Sequence, residues 1–179
     1  MLDGSLLASV LQRTGSIKRG RFRLSSGIES TVYIDLRRLL AYPRDFSLVL
    51  SMLNVLLSRV HPSPECIIGV ATGGIPWAVG LGLLNSMPVG YVRASRKGYG
   101  LSKSVEGVDP CRAVVVDDVA TTGGSLEAAV NTLREEGYRV DSALVIVDRG
   151  MGAAERLRRL SVRLYSLTSL DAIIGALEE

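Results

Sequence analysis

Residues 114–125, VVVDDVATTGGS, are the stretch from which the fold and function of this chain can be inferred. Three valines predict a buried strand, and two adjacent acids, Asp117 and Asp118, follow them directly. Small and hydroxyl residues then lead into a helical pattern over 126–136. A strand, a glycine-containing turn and a helix in this order suit a phosphate, because N–H groups at a helix start bind anions and glycines allow close approach.

The two acids need a different role, since a carboxylate repels a phosphate at short range. They suit the hydroxyls of a ribose, or a Mg²⁺ ion that carries part of the charge of a substrate. The Walker motif would need a lysine before its Ser/Thr, and the dinucleotide motif would need three spaced glycines, and this stretch has neither pattern. If this stretch only connected a strand to a helix, two acids at the end of a hydrophobic strand would have no partner. Burying carboxylates without a partner is unfavourable in free energy. The stretch therefore indicates a site for a ribose 5-phosphate.

Outward from this stretch, apolar runs alternate with helical patterns. Strands are predicted over 66–71, 89–92, 113–116, 140–147 and 162–165, and helices after Pro43 and over 75–84, 126–136, 153–160 and 167–177. Such alternation predicts an α/β fold with a central, mainly parallel sheet flanked by helices. Ligands of these folds bind at the carboxyl ends of the strands.

A single domain over residues 1–179 is predicted, in two parts. Residues from about 1 to 40 carry an amphipathic helix and two short strands, 21–24 and 31–36, around a turn at Gly27. Residues from about 41 to 179 form the α/β core, and they include one long loop, 93–109. Long loops in compact domains are often lids, so this loop is predicted to be flexible.

The composition narrows the class of protein. No apolar run is long enough to span a bilayer, and a net charge of +3 is too mild to indicate nucleic acid, so neither membrane nor nucleic acid is predicted as a partner. The N-terminal residues lack a basic signal-peptide region, and a cytoplasmic protein is expected. Cys66 and Cys111 are each interpreted as a buried free thiol rather than half of a disulfide. The single histidine, His61, is expected at the surface.

Across most of its length the chain resembles the orotate phosphoribosyltransferases, a group of type I phosphoribosyltransferases. Residues 114–125 resemble the diphosphoribosyl-binding signature of that family, and IGVATGGIP at 68–76 resembles its pyrophosphate loop. FRLSSG at 22–27 with VYID at 32–35 resembles the hood that covers the base. Residues 91–107 resemble the catalytic loop, and VDR at 147–149 resembles the strand end that supplies an arginine to orotate.

The resemblance implies a type I phosphoribosyltransferase fold with a small N-terminal hood, acting on orotate and 5-phosphoribosyl 1-diphosphate. It implies Mg²⁺ as cofactor, held mainly by substrate and water, and a homodimer that shares the loop between subunits. Lys97 and Arg93 are the predicted catalytic cations. The implied contacts of the sugar diphosphate are Thr72, Gly73, Arg93, Lys97, Tyr99, Asp117, Asp118, Val119, Ala120, Thr121, Thr122, Gly123, Gly124 and Ser125. The implied contacts of orotate are Ser25, Tyr33, Ile34, Thr121 and Arg149.

Two other functions remain open at this point. A transferase for a purine base would keep the same ribose and pyrophosphate motifs, but it would not explain the hood motif or Arg149. A non-catalytic regulator of the same fold would usually carry a DNA-binding domain or a basic face. The pattern shows no helix-turn-helix, and Lys97 in a loop favours chemistry.

Overall fold

The computed structural model describes residues 4–23, 27–93 and 104–178. Its N-terminal part consists of α1 (Gly4–Arg13), β1 (Ile17–Arg23), β2 (Glu29–Ile34) and a 3₁₀ helix (Leu36–Ala41). Strands β1 and β2 pair antiparallel in a separate two-stranded sheet, which we call the hood. The predicted small hood is thus confirmed, with a first strand that begins four residues earlier than expected.

A six-stranded sheet forms the centre of the rest of the chain. In chain order the elements are α2 (Pro43–Leu57), β3 (Cys66–Val70), α3 (Ile75–Asn85), β4 (Val89–Val92), β5 (Val105–Glu106), β6 (Arg112–Ala120), α4 (Gly124–Glu135), β7 (Arg139–Asp148), α5 (Ala153–Arg159), β8 (Arg163–Ser169) and α6 (Leu170–Ala176). The strand order is β5-β4-β3-β6-β7-β8, and only the short β5 is antiparallel to its neighbour. The predicted mainly parallel α/β fold is confirmed.

Both faces of this sheet are covered, because successive side chains of a strand point to opposite sides. On one face, residues such as Ile67 and Val114 pack in a cluster with α2 and α3. On the other face, Ile68 and Val115 pack in a second cluster with α4 and α5. All four side chains are fully buried. Continuous apolar runs are what a parallel sheet covered on both faces requires.

Strand β6 is longer than predicted. It was expected to end at Val116, but its ladder with β7 continues through Asp117, which pairs with Val145, to Ala120, which pairs with Asp148. Pairing with a neighbouring strand thus overrides the local polarity of the two acids. The same effect extends β8 to Ser169, so the last helix begins at Leu170 rather than at 167.

The prediction of two free thiols was wrong, since Cys66 and Cys111 form a disulfide with their Cα atoms 6.3 Å apart. Cys66 begins β3 and pairs in register with Ala113 of β6, which places Cys111 beside it. The chain pattern alone did not show that β3 and β6 are neighbours. His61 is exposed, as expected.

The helices of the described ranges are short. The longest, α2, has 15 residues. Over these ranges no helix has both the length and the apolar character that crossing a bilayer requires.

Candidate functional site

The carboxyl ends of three neighbouring strands meet at one edge of the main sheet. Strand β3 leads into the loop 71–74, β6 leads into the loop 121–123, and β7 leads into Arg149. Because β3 pairs with β6 and β6 pairs with β7, the two unusual loops lie side by side.

Two adjoining cavities open at this edge. The larger has a volume of about 310 Å³ and lies between the hood and the sheet. The smaller has a volume of about 190 Å³ and lies over the loop between β6 and α4. Val119 and Thr121 line both cavities, so a single ligand can extend from one into the other.

The smaller cavity is built on the start of α4. Residues 119–126 line it together with Asp117. The residue before the helix is Gly123, with φ of 78°, and no side chain caps the first turn. A side chain at Gly123 would be strained by this φ, and its Cβ would lie 3.0 Å from the Cα of Ala153. The uncapped amides therefore face a space that suits a phosphate.

The two acids border different cavities. Asp118 lines the larger cavity and Asp117 lines the smaller one, as the alternation of a strand requires. The backbone N–H of Asp118 donates to Asp117 Oδ1 at 2.9 Å, and that of Val119 donates to Asp118 Oδ1 at 2.7 Å. The carboxylates thus stand at the junction of the cavities, where the hydroxyls of a ribose would lie between its 5-phosphate and its C1.

Burial controls the protonation of this pair. It raises the pKa of Asp117 well above the ordinary value, and the charge of Asp118 adds to the increase. Burial also raises the pKa of Asp118, although the N–H of Val119 and the charge of Arg37 act in the opposite direction. Two carboxyls that are costly to ionise favour a ligand that supplies hydrogen-bond donors or a cation.

The loop after β3 approaches the acids closely. A Cβ added to Gly73 would lie 2.7 Å from the carboxyl of Asp118, so only glycine fits there without displacing that side chain. The peptide bond between Ala71 and Thr72 is cis. Gly73 lines the larger cavity, which places the 71–74 loop, Asp118 and the hood around one space.

Arg149 joins the sheet to the hood. Its Nη2 donates to Ser30 Oγ at 2.7 Å and to the carbonyl of Val32 at 3.0 Å. The residue is only 6% exposed, and burial lowers its pKa. Its buried Nε has no hydrogen-bond partner within the described residues, and Arg149 lines the larger cavity. Arg149 therefore lies inside the site and not at the protein surface.

The remaining predicted residues are placed as follows. Tyr33 and Ile34 line the larger cavity from the hood. Thr72 and Arg93 follow the neighbouring strands β3 and β4, outside the residues that line the two cavities. Arg93 pairs with Glu106 at 2.6 Å and lies over the ring of Tyr91. Ser25, Lys97 and Tyr99 lie outside the described residues.

Three further charged residues line the larger cavity and were not assigned to the site from sequence. Arg23 is the last residue of β1, Asp35 lies between β2 and the 3₁₀ helix, and Arg37 belongs to that helix. Arg23 and Asp35 lie in the hood motifs, but nothing in those motifs assigns them a ligand. Arg37 follows the motif by two residues, and its only sequence signal is a charge directly after the hood strand.

The donor set at this edge of the sheet fits a Mg²⁺ ion only in part. Carboxylate oxygens such as those of Asp117 and Asp118 are ligands that Mg²⁺ prefers. In the part of the chain that the structure describes, no cluster of three or more His, Cys, Asp or Glu side chains could hold a metal. A Mg²⁺ ion here would therefore keep water and substrate oxygens as most of its ligands.

A family model described as a phosphoribosyl transferase domain matches residues 53–172. An orotate phosphoribosyltransferase of Aeropyrum pernix is 50% identical over 173 residues, which cover 96% of this chain and 93% of the relative. The chain belongs to the orotate phosphoribosyltransferases.

Solved structures of other orotate phosphoribosyltransferases share the whole fold. The crystal structure of the Aeropyrum pernix enzyme superposes with a TM-score of 0.86 at 49% identity, covering 96% of this chain and 98% of that one. The Mycobacterium tuberculosis enzyme, in complex with 5-phospho-α-D-ribosyl 1-diphosphate, gives a TM-score of 0.73 at 28% identity, covering 96% and 98%. The likeness therefore includes the hood of this orotate phosphoribosyltransferase as well as its sheet.

Proposed function

We propose that the chain transfers the 5-phosphoribosyl group of 5-phosphoribosyl 1-diphosphate to N1 of orotate, giving orotidine 5-phosphate and diphosphate. The reaction is a pentosyl transfer in the synthesis of pyrimidine nucleotides. The observation that carries the proposal is the acid pair at the junction of two cavities, with Asp117 buried and Asp118 half-buried. One cavity lies over a helix start and the other contains the buried arginine Arg149.

The smaller cavity would take the 5-phosphate of the sugar. Backbone N–H groups at the start of α4 point where a phosphate gains most from the helix dipole. Thr121, Thr122 and Ser125 line this cavity and can donate from their hydroxyls. Asp117 and Asp118 would then accept hydrogen bonds from the 2- and 3-hydroxyls, which directs C1 of the ribose towards the larger cavity.

The larger cavity would take orotate on the side of Arg149 and the diphosphate on the side of Gly73. Arg149 offers a planar guanidinium whose Nε is buried and without a partner among the described residues, and such a group pairs well with a carboxylate or a carbonyl oxygen. Tyr33 and Ile34 face the same space from the hood, and Thr121 lies on the sheet side. Ser25 would complete the hood contacts, as the family resemblance implies.

In the transition state the sugar resembles an oxocarbenium ion, and negative charge builds up on the departing diphosphate. Stabilising this charge is the main requirement of catalysis. Cations that act where water is excluded stabilise this charge best. We assign this role to Lys97, with Arg93 and Tyr99 as further contacts of the diphosphate and Thr72 and Gly73 as its loop. Orotate N1 can react as an anion, so the residues need not supply a general base.

Mg²⁺ is the proposed cofactor. When bound, it would neutralise part of the diphosphate charge and template the sugar diphosphate. Asp117 and Asp118 are too few to enclose a metal ion by themselves. They would fit an ion that arrives with the substrate and takes most of its ligands from substrate and water.

The working form is proposed to be a homodimer in which each loop 93–109 reaches the site of the partner. Val79 and Leu83 lie one helical turn apart on α3 and are 44% and 79% exposed. These apolar side chains support the binding of a second copy of the chain to this face of α3. Neither a nucleic acid nor a membrane is proposed as a partner, and a cytoplasmic location stays a prediction.

The proposed activity is tested by the loss of orotate absorbance on adding 5-phosphoribosyl 1-diphosphate and Mg²⁺ to the folded protein. Turnover with orotate, and none with adenine, hypoxanthine or guanine, is the expected result. In the same assay Lys97→Ala should lose at least about a hundredfold in turnover while its melting temperature is unchanged. Turnover of a purine base without turnover of orotate would refute the proposed substrate.

A further inference from the structure

Arg37 lines the larger cavity, and two hydrogen bonds hold its guanidinium in place. It belongs to the 3₁₀ helix that follows the second hood strand. Its Nε donates to Asp35 Oδ1 at 2.7 Å, and its Nη2 donates to the hydroxyl of Tyr33 at 3.2 Å. These contacts use two of the five N–H donors of the guanidinium, so donors remain for an anion.

The 3₁₀ helix that carries Arg37 is anchored to the core, and Tyr33 packs against a neighbouring strand. Leu36 and Leu39 of the same 3₁₀ helix are fully buried, and the backbone N–H of Asp35 donates to the carbonyl of Ser16 at 2.8 Å. The ring of Tyr33 packs against Phe22 with centroids 5.4 Å apart. The guanidinium is therefore positioned before a ligand arrives, which lowers the entropic cost of binding.

Arg37 shares the larger cavity with the loop after β3. It lines the cavity together with Gly73 and Asp118, and its charge reaches the Asp118 carboxyl. Gly73 in turn lies so close to that carboxyl that a Cβ at this position would be only 2.7 Å away from it. Just over half of the Arg37 side chain is exposed, against 24% for its partner Asp35, so the arginine is the accessible member of the pair.

We propose that Arg37 binds the diphosphate group of the sugar substrate as a fixed cation, with Asp35 and Tyr33 as its positioning residues. A diphosphate carries several negative charges, and a guanidinium held by a carboxylate presents a planar edge for bidentate hydrogen bonds to phosphate oxygens. Unlike the proposed cations Lys97 and Arg93, Arg37 belongs to the hood side of the site. It therefore links the recognition of the diphosphate to the element that covers the base.

The inference rests on the proposed function, but its test does not use turnover. Calorimetric titration of Arg37→Gln with diphosphate and with orotidine 5-phosphate, both with Mg²⁺, separates the two ends of the site. The Kd for diphosphate should rise about tenfold or more, as expected for a lost charge-assisted hydrogen bond. The Kd for orotidine 5-phosphate, which has no diphosphate, should change less than about twofold.

Two variants make the result specific. Arg37→Lys keeps the charge without the planar fork and should recover part of the affinity for diphosphate. Arg38→Gln is the matched control, since the neighbouring Arg38 donates to the carbonyl of Thr14 and does not line the cavity, and it should leave both Kd values unchanged.

Three outcomes would overturn the inference. One is an unchanged Kd for diphosphate in Arg37→Gln with an unchanged melting temperature. Another is an equal loss for diphosphate and orotidine 5-phosphate, which would show that Arg37 supports the hood rather than the diphosphate. The third is a loss of affinity for orotate alone, which would assign Arg37 to the base. Failure of the wild-type protein to use orotate would instead refute the proposed function, whatever the diphosphate titration gives.

Discussion

At the scale of single residues, the acids Asp117 and Asp118 show how one strand can line two cavities. They are adjacent in sequence, yet they border different cavities because strand side chains alternate. Asp117 is only 8% exposed, and its ionisation works against the fold. The ionised carboxylate lowers the stability of the fold, but it would accept hydrogen bonds from a bound ribose. The proposed function and stability therefore oppose each other at this position.

Asp117→Asn should raise the stability of the ligand-free protein at neutral pH. The amide oxygen can still accept the N–H of Asp118, while the buried charge is removed. A gain of about 1 kcal/mol would raise the melting temperature by about 2–4 °C in a chain of this size. Turnover of orotate should fall at least about tenfold, because a carboxylate that accepts from a ribose hydroxyl is lost. Calorimetry and the absorbance assay measure the two effects.

The stabilisation by Asp117→Asn should depend on pH in a definite direction. The pKa of Asp117 is raised in the folded state, so the folded protein keeps a proton that the unfolded chain releases. The wild-type protein therefore loses stability as pH rises from the ordinary Asp range through the raised pKa, and the difference from the variant grows. Asp141→Asn, at an exposed position of β7, should show no such trend. A difference that shrinks with rising pH would contradict the assignment of the burial cost.

At the scale of elements, strands β3 and β6 carry the site at one end and the disulfide at the other. Their carboxyl ends lead into the loops of the site, and Cys66 and Cys111 lie at their amino ends. The link closes a stretch of chain with a sequence separation of 45 that contains α3 and β4. It therefore restrains the part of the unfolded chain that includes the proposed diphosphate loop.

Cys66→Ala with Cys111→Ala should lower stability and leave catalysis at moderate temperature unchanged. A disulfide that closes a loop of this size contributes about 2–4 kcal/mol, mainly by restricting the unfolded chain. Differential scanning calorimetry should show a fall in melting temperature of about 2–4 °C for each kcal/mol. The reductant dithiothreitol should cause a similar fall in the wild-type protein and none in the double variant. Two titratable thiols in the unfolded, unreduced wild-type protein would contradict this prediction.

At the scale of the whole molecule, the exposed face of α3 is the feature that a single chain leaves unexplained. Val79→Glu with Leu83→Glu should shift the mass in light scattering from that of two chains to that of one, because the charges oppose burial of this face. Leu6→Glu is the control, since Leu6 is also exposed and apolar, at 43%, but lies on α1, which packs against α6. An unchanged dimer in the α3 variant would place the interface elsewhere.

Shared sites make a second prediction at this scale. Lys97→Ala and Asp117→Asn chains, each with reduced turnover alone, should show more activity than the mean of the two when they are unfolded and refolded together. In a mixed dimer one site combines an intact loop from one chain with an intact ribose site from the other. No recovery in a mixture shown to contain mixed dimers would mean that each chain completes its own site.

Local patterns were enough for much of this protein. The run 114–116 predicted a buried strand, the glycines before α4 predicted a turn into a helix, and alternation of strands and helices predicted a parallel sheet. These features depend on side-chain periodicity and on backbone freedom at glycine, which are properties of short segments. The order of the motifs also identified the family from the sequence.

Other features depend on which segments become neighbours. The ladder with β7 extended β6 through the two acids, and the pairing of β3 with β6 brought the two cysteines together. The position of Arg37 follows from a 3₁₀ helix anchored by buried leucines beside the hood.

The sequence by itself determined the class of fold, the glycine-containing turn between β6 and α4, and the family. Only the tertiary structure decided that Asp117 and Asp118 line different cavities, that Arg149 is buried against the hood, and that Arg37 lines the same cavity as Asp118. The physical reason is that burial and charge at a site are set by contacts between distant segments, which periodicity along the chain does not encode.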